Sequence, residues 1–559
     1  MSTIVRTKQI TKSSVPSVSN STKTSTTSTT KSSLKTIPNK LPTSNIMNSI
    51  VLKTAYLGNK GYTIAKSELT NKQLEYLKEI LYFTPKVFSP TGVINEDEIS
   101  FFIYRESTNR LYVPRYFGIK NFGMPSKNKI CEGENINLTF NGTLRDYQVP
   151  VINKYLEHVK DGGSGLLELF CGWGKTDATI YTIGQLKKKT LIIVHKEFLL
   201  NQWTERILKY YPTARIGKIQ AQTIDINDKD IVIALLQSLS MKEYDEHLFD
   251  SFGFTIIDEV HHISSKVFSN ALFKIVTKYM LGLSATMNRK DGATEVFKMF
   301  LGDVVYKQER SKNEDLIVRG IFYKSKDSDF NETLTDFKGN VAVSKMISKL
   351  VSSNERSEFI LKIIKDLIIE EPKRQIMLIA QYKGILNYMF SAINHGKIGD
   401  ISVGYYVGGM KEKDLKESES KQIVLATYAM ASEGLDIKTL STLVMLTPMT
   451  NIEQSVGRIL RQKHNHSAVV VDIIDPHTNF VNQWNRRKSF YKHQNYKIIT
   501  TDRYKYSTDL TTWTSSLNKK SYNSPVLNNH DSSDDNDESD SSDCEENVKD
   551  SCLFDLDDD

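Results

Sequence analysis

From Thr143 onward the chain alternates short, wholly apolar runs with longer stretches in which apolar residues recur every three or four positions. Short uninterrupted runs suit strands buried on both faces, and the longer period suits helices laid over them. The runs predict strands over Gly165–Leu169, Thr190–Val194, Asp230–Leu235, Phe254–Asp258 and Met280–Ala285. A second series covers Ile317–Lys324, Gln375–Ala380, Ile401–Val407, Gln422–Thr427, Thr442–Thr447 and Ala468–Asp475, with helices over Arg356–Glu370 and Asn451–Leu460. Strands joined by helical crossovers make doubly wound parallel sheets. Two α/β domains in tandem are therefore expected, 136–310 and 311–500, meeting near residues 305–315. Ahead of them, residues 47–135 read as a small α+β domain with a helix over Asn71–Tyr82 and strands over Ile99–Tyr104 and Arg110–Tyr116. Residues 1–46 have almost no large apolar side chains and cannot bury a core, so disorder is predicted there. Residues 501–559 read as a Ser-, Thr- and Asn-rich linker running into an acidic disordered tail.

Composition changes this picture little, and charge changes it more. The longest apolar runs, such as Ile376–Ala380, are of strand length, far short of the roughly 18 residues of a membrane span. The N-terminus lacks the apolar core of a secretory signal. A soluble intracellular protein with no membrane partner is expected. Cys131, Cys171, Cys544 and Cys552 form no CxxC pair, which argues against a disulfide framework or structural zinc. The adjacent His261 and His262 would point to opposite faces of a strand, which does not suit converging metal ligands. The net charge of +7 hides a segregation: +7 over residues 1–46, −13 over 531–559 and +13 between them. A basic body suits a polyanion partner, and equally a plain soluble surface.

The strand ending at Leu169 runs into Phe170-Cys171-Gly172-Trp173-Gly174-Lys175-Thr176 and then into a helical pattern. Glycines let backbone amides approach phosphate oxygens, and a strand-to-helix turn sets those amides at a helix N-terminus. Lys175 can reach the β- and γ-phosphates and the Thr176 hydroxyl can ligate magnesium. ATP and Mg²⁺ are therefore expected, held by Cys171, Gly172, Trp173, Gly174, Lys175 and Thr176. Leu169 stands where such a loop usually has Gly or Ala, and Trp173 is bulky for a position inside it. Cys171 either packs as a small residue or gains thiolate character as a redox switch. Further on, the apolar run Phe254–Ile257 ends in Asp258-Glu259. Asp258 suits a magnesium ligand, and Glu259 suits a base that orients and deprotonates the attacking water. Nearly 300 residues after the phosphate loop, Gln454-Ser455-Val456-Gly457-Arg458-Ile459-Leu460-Arg461 offers two arginines on a helical pattern. By itself that pattern also fits an amphipathic surface helix. Phosphoryl transfer spreads negative charge over the γ-phosphate oxygens, so guanidinium groups from a second domain would tie hydrolysis to closure of a cleft.

These motifs, with others between them, resemble superfamily 2 helicases, whose two motor domains are RecA-like. Leu144-Arg145-Asp146-Tyr147-Gln148 is similar to the segment whose Gln recognises adenine, and Val194–Trp203 and Ile233–Leu239 are similar to two strand-contacting motifs. Asp258-Glu259-Val260-His261, Ser284-Ala285-Thr286, Thr427 with Glu433-Gly434-Leu435-Asp436, and Gln454 to Arg461 follow in family order, from about Leu144 to Asp475. The resemblance implies that Arg145, Gln148, Gly434 and Asp436 join the nucleotide site. It implies that His261, Ser284 and Thr286 couple the site to motion, and that Gln454, Arg458 and Arg461 complete catalysis with Lys175, Asp258 and Glu259. Gln237, Ser238 and Thr427 would touch the nucleic acid, chiefly through phosphates.

The Asp-Glu-Val-His form and Leu281–Gly292 resemble the DNA-repair and transcription branch, which implies DNA as the track and movement 3′→5′. Lys290 replaces the acid that the eukaryotic members carry after their third motif, so their dedicated unwinding element is not carried over. Leu111–Gly118 resembles the N-terminal domains of helicases from large cytoplasmic DNA viruses, including the poxvirus helicase linked to transcript release. The leading expectation is a monomeric, nucleic-acid-stimulated ATPase that translocates on and unwinds DNA in viral-type transcription or repair. Its compartment would be the cytoplasm, a viral factory or a virion, with the nucleus also open. An RNA helicase is the close rival, and a non-catalytic recruitment subunit or the motor of a restriction or remodelling assembly are the others. The acidic tail either solubilises the chain, recruits transcription or repair partners, or competes with nucleic acid for the basic groove. Ser532 and Ser542 there have acids three residues on and suit acid-directed phosphorylation.

Overall fold

A computed structural model of the chain describes residues 43–86, 99–309 and 315–515, apart from single positions 264, 288, 290, 397, 434, 436 and 463. Most of the predicted disordered N-terminus, the acidic tail with Ser532 and Ser542, Lys290, and the site candidates Gly434 and Asp436 lie outside the described residues. Thr43–Asn48 forms a short helix in a separate unit, Met1–Ser49. Among the described residues no helix is long and apolar enough to cross a membrane.

The first sheet is small: β1 (Tyr56–Gly58), β2 (Gly61–Ala65), β5 (Arg105–Glu106), β6 (Arg110–Val113) and β7 (Lys127–Asn128), in the order β5-β6-β2-β1-β7. A separate antiparallel pair joins β3 (Tyr82–Phe83) to β4 (Phe101–Phe102). The helix Asn71–Ile80 starts at a capping box, in which Gln73 N donates to Thr70 Oγ1 at 3.3 Å and Thr70 N to Gln73 Oε1 at 2.8 Å. The strand predicted to run to Tyr116 stops at Val113, because Pro114 caps a helix, Arg115–Phe122. That helix docks on the first α/β domain. Arg115, 5% exposed, donates to the Thr277 carbonyl at 3.3 Å, and Tyr116 Oη accepts from Ser164 N at 2.6 Å.

All five strands predicted for the first α/β domain form within two residues of their expected ends. They are β8 (Gly163–Leu169), β9 (Thr190–Val194), β12 (Ile231–Leu235), β13 (Phe254–Ile257) and β14 (Tyr279–Ser284). Three further strands join them: β10 (Ile216–Gln220), β11 (Thr223–Ile224) and β15 (Val304–Gln308), giving the order β11-β10-β12-β9-β13-β14-β8-β15. Neighbours are parallel except β10 and β11. β15 occupies the first part of the stretch expected as the junction, and the next sheet begins at Leu316.

The second α/β domain contains β16 (Leu316–Phe322), β17 (Gln375–Ala380), β18 (Val403–Tyr406), β19 (Ile423–Thr427), β20 (Leu440–Met445), β21 (Ala468–Ile474), β22 (Lys497–Asp502) and β23 (Thr514–Ser515). They stack as β18-β19-β17-β20-β21-β16-β22-β23. Residues 501–515, expected as linker, belong to this fold: β22 pairs with β16, β23 pairs with β22, and Trp513 is 6% exposed against Tyr506. Together the two sheets give the tandem RecA-like, doubly wound architecture. Each domain carries its ligand-facing motifs at the carboxyl ends of parallel strands, where open α/β sheets bind ligands.

Candidate active site

β8 ends at Leu169, 1% exposed in the core, and the chain turns through Gly172 and Gly174 at φ 87° and 90° into the helix Lys175–Leu186. The left-handed backbone at both glycines explains the bulky residue between them. The Trp173 ring turns inward, 1% exposed, while its carbonyl accepts from Tyr147 Oη at 3.1 Å and Gln148 Nε2 at 3.2 Å. Gln148 Nε2 also reaches the Gly174 carbonyl at 3.2 Å, and its Oε1 accepts from Arg145 N at 3.0 Å. The nitrogen end of this amide holds the loop and the oxygen end is tied to its own segment at Arg145, and the base-reading role implied by resemblance would require these bonds to be exchanged.

β13 delivers the carboxylates. Asp258 is 7% exposed, and Glu259 follows it in left-handed backbone at φ 47°, a conformation costly for a residue with a side chain and typical of functional turns. Lys175 Nζ pairs with Glu259 Oε1 at 2.8 Å. Burial pulls the Lys175 pKa down, but Glu259, Cys171 and Asp258 outweigh it, and the net shift is upward. Burial first, and Glu259 second, push the Asp258 carboxyl up to about 6. Asp258 and Thr176 both line the same cleft, and a carboxylate with a hydroxyl is an oxygen donor set suited to magnesium. The residues fit that ion.

The cleft, about 1000 Å³, lies between the two α/β domains; its far wall includes Thr427, Arg458 and Arg461. The structure thus brings Arg145, Gln148, Cys171, Gly172, Gly174, Lys175, Thr176, Asp258 and Glu259 into one space with both arginines. Contact across it is direct. His261 Nδ1 lies 3.3 Å from Glu259 Oε2 and 3.0 Å from Ser284 Oγ, and its Nε2 lies 2.9 Å from the Gln454 amide nitrogen. With its proton on Nδ1 the ring donates to Ser284 Oγ and accepts from Gln454 at Nε2, with Glu259 Oε2 close by. Ser284 Oγ also accepts from Thr286 N at 3.2 Å, so the three expected coupling residues touch.

Residues 141–289 match the family of the type III restriction enzyme res subunit, and residues 359–463 match the helicase conserved C-terminal domain. A protein of Acanthamoeba polyphaga mimivirus, provisionally named an ATP-dependent RNA helicase, is 34% identical over 78% of this chain and 85% of its own length. The chain is a superfamily 2 helicase of the type carried by large DNA viruses. A helicase of Invertebrate iridescent virus 6, also provisionally named, is 26% identical over 69% of this helicase and 90% of its own length. A third relative, from African swine fever virus and again provisionally named an ATP-dependent RNA helicase, is 27% identical over 64% of this helicase and 74% of its own length. The helicase is accordingly an ATP-using enzyme.

The arginines of this helicase are bonded to backbone carbonyls of their own domain. Arg458 Nε and Nη1 donate to the carbonyls of Ala431 and Leu435 at 2.9 and 3.1 Å, Nη2 donates to that of Ser432, and Arg461 Nη2 reaches the Leu435 carbonyl at 2.8 Å. Thr427, expected on the strand-binding surface, lines the cleft. Gln237 donates to the His195 carbonyl at 3.2 Å, just past the end of β9, and Ser238 Oγ accepts from Ala221 N at 3.0 Å, in the turn between β10 and β11. Two contributors went unread in the sequence. Trp203 Nε1 donates to Asp258 Oδ2 at 2.8 Å, and the Arg289 guanidinium holds the carbonyls of His261 and Ile263.

Proposed function

We propose that this helicase is a nucleic-acid-stimulated ATPase that moves 3′→5′ on DNA, in transcription or repair of the viral type. The observation that carries the two-domain engine is the unbroken chain of contacts from Lys175 through Glu259 and His261 to Gln454. Lys175 neutralises the β- and γ-phosphates, and a phosphate that takes Lys175 releases Glu259 to orient and deprotonate the attacking water. Asp258 and Thr176 would hold magnesium, which would supply charge neutralisation at the phosphates. Arg458 and Arg461 exchange their carbonyl partners for the γ-phosphate as the cleft closes, which ties each turnover to a movement between domains. Gln237 and Ser238 contact strand phosphates, and the chain acts as a monomer in the cytoplasm or viral factory.

The lean to DNA comes from Asp258-Glu259-Val260-His261 and from the restriction-enzyme match of the first domain. The second reading, RNA, has its own support in the provisional names of the mimivirus and African swine fever virus relatives. ATPase rates measured with matched single- and double-stranded DNA and RNA decide between them. DNA is expected to stimulate more strongly, and stimulation by RNA alone would reverse the assignment. Equal rates with and without any nucleic acid would sink the motor reading.

A further inference from the structure

Trp203 is 2% exposed, and its indole N–H is bound to Asp258 Oδ2 at 2.8 Å. Indole offers one donor and no acceptor, so once buried it needs a single acceptor and can hold that acceptor in one orientation. The helix Glu197–Tyr210 brings it there, with Leu199, Leu200, Trp203 and Ile207 as its buried stripe. On the same helix Arg206 Nη1 pairs with Asp177 Oδ1 at 2.9 Å, in the first turn of the helix that begins at Lys175. One rigid element therefore grips both the carboxylate after β13 and the helix carrying the phosphate-loop lysine. Other residues of that helix face the second α/β domain: Asn201 Nδ2 donates to Glu412 Oε2 at 3.1 Å, and Glu205 pairs with Lys416.

We propose that Trp203 is a positioning residue for the magnesium carboxylate. It occupies Oδ2 of Asp258, leaves the other oxygen for the cleft, and ties that orientation to a helix the second domain touches through Asn201 and Glu205. The proposal rests on the ATP–magnesium reading of the cleft. A carboxylate that must turn to meet its cation loses affinity for it, while nucleotide contacts elsewhere in the cleft are untouched.

The experiment uses the full chain with Trp203→Phe, which keeps most of the bulk and removes the donor. Binding of a fluorescent ATP analogue is measured in EDTA and across a magnesium titration, alongside ATPase turnover and a thermal melt. The metal-free affinity is expected to stay within about twofold, while the half-saturating magnesium concentration rises roughly 10- to 100-fold, the range seen when a partner of a metal ligand is removed. Trp203→His, which restores a ring N–H, is expected to recover much of the magnesium affinity. An unchanged magnesium dependence in a folded Phe variant overturns the proposal, as does an equal loss of binding with and without metal or a His variant no better than Phe. Failure of the ATP–magnesium reading looks different: the wild-type chain itself would then turn over ATP without magnesium, or not at all.

Discussion

At Gly174 the backbone sits at φ 90°, and a Cβ built there would lie 2.6 Å from Gln148 Nε2. Two penalties coincide: left-handed strain, about 1–3 kcal/mol, and a clash with the amide that holds the loop. Gly174→Ala is therefore expected to weaken ATP binding by at least tenfold, read by equilibrium binding of a labelled nucleotide. Gly396→Ala is the control, since φ is 73° there but nothing lies within 4 Å of the added carbon. It should lower the melting temperature and leave ATP affinity alone. A second residue-scale prediction concerns Lys175 and Glu259, paired at 2.8 Å. Lys175→Ala and Glu259→Gln should each cut turnover by on the order of 10²-fold or more, the scale of removing one charged participant in transition-state stabilisation or proton transfer. Only the lysine change should also cost nucleotide affinity. The phosphate loop and its carboxylates were readable because each motif is local. Trp203 and Arg289 were not, because Trp203 meets Asp258 across 55 positions and Arg289 meets the His261 carbonyl across 28.

Strands buried on both faces announced themselves as continuous apolar runs, and those formed close to where the pattern put them. The missed strands share a different physics. β10 has a buried pattern of alternating kind along Ile216-Gly217-Lys218-Ile219-Gln220, and β22 mixes Ile498 and Ile499 with Lys, Thr and Asp. Near a sheet edge one face stays wet, and the apolar signal drops to that of a loop. The helix Thr478–His493 owes its place to a buried polar clamp. Arg487 binds both oxygens of Asp472 at 2.7 Å, Tyr491 Oη donates to the same carboxylate at 3.0 Å, and Arg487 Nη1 reaches the Met449 carbonyl at 2.7 Å. That carbonyl lies in the loop before the helix Glu453–Arg458, so the clamp sets where Gln454 and Arg458 begin. Both charges of the pair are fully buried, and removing one partner strands the other. Arg487→Met is expected to cost about 3–5 kcal/mol in denaturant unfolding. An effect below 1 kcal/mol would mean that Asp472 finds water or another donor.

Across the whole molecule the two half-sites already touch through Gln454 and His261, yet the arginines beside Gln454 are turned to carbonyls of their own domain. The pairing of the half-sites was readable from the motif set; the direction of the guanidinium groups was not, because it depends on carbonyls freed where the helix Tyr428–Glu433 ends. Arg458 makes three such bonds, to Ala431, Ser432 and Leu435. Reaching a γ-phosphate means exchanging all three, so Arg458 should add little to ground-state binding and much to the transition state. If Arg458 serves as an arginine finger, Arg458→Ala is expected to lower single-turnover hydrolysis by roughly 10³-fold or more, with ATP affinity changed less than threefold. Arg458→Lys should not rescue it, because an ammonium cannot reproduce a planar fork that serves carbonyls in one state and phosphate oxygens in the other. The Ala variant leaves buried carbonyls short of donors at about 1–3 kcal/mol, so rates must be taken well below its melting temperature. If affinity falls as far as turnover, Arg458 serves to hold residues 428–435 in place, and the finger must be Arg461.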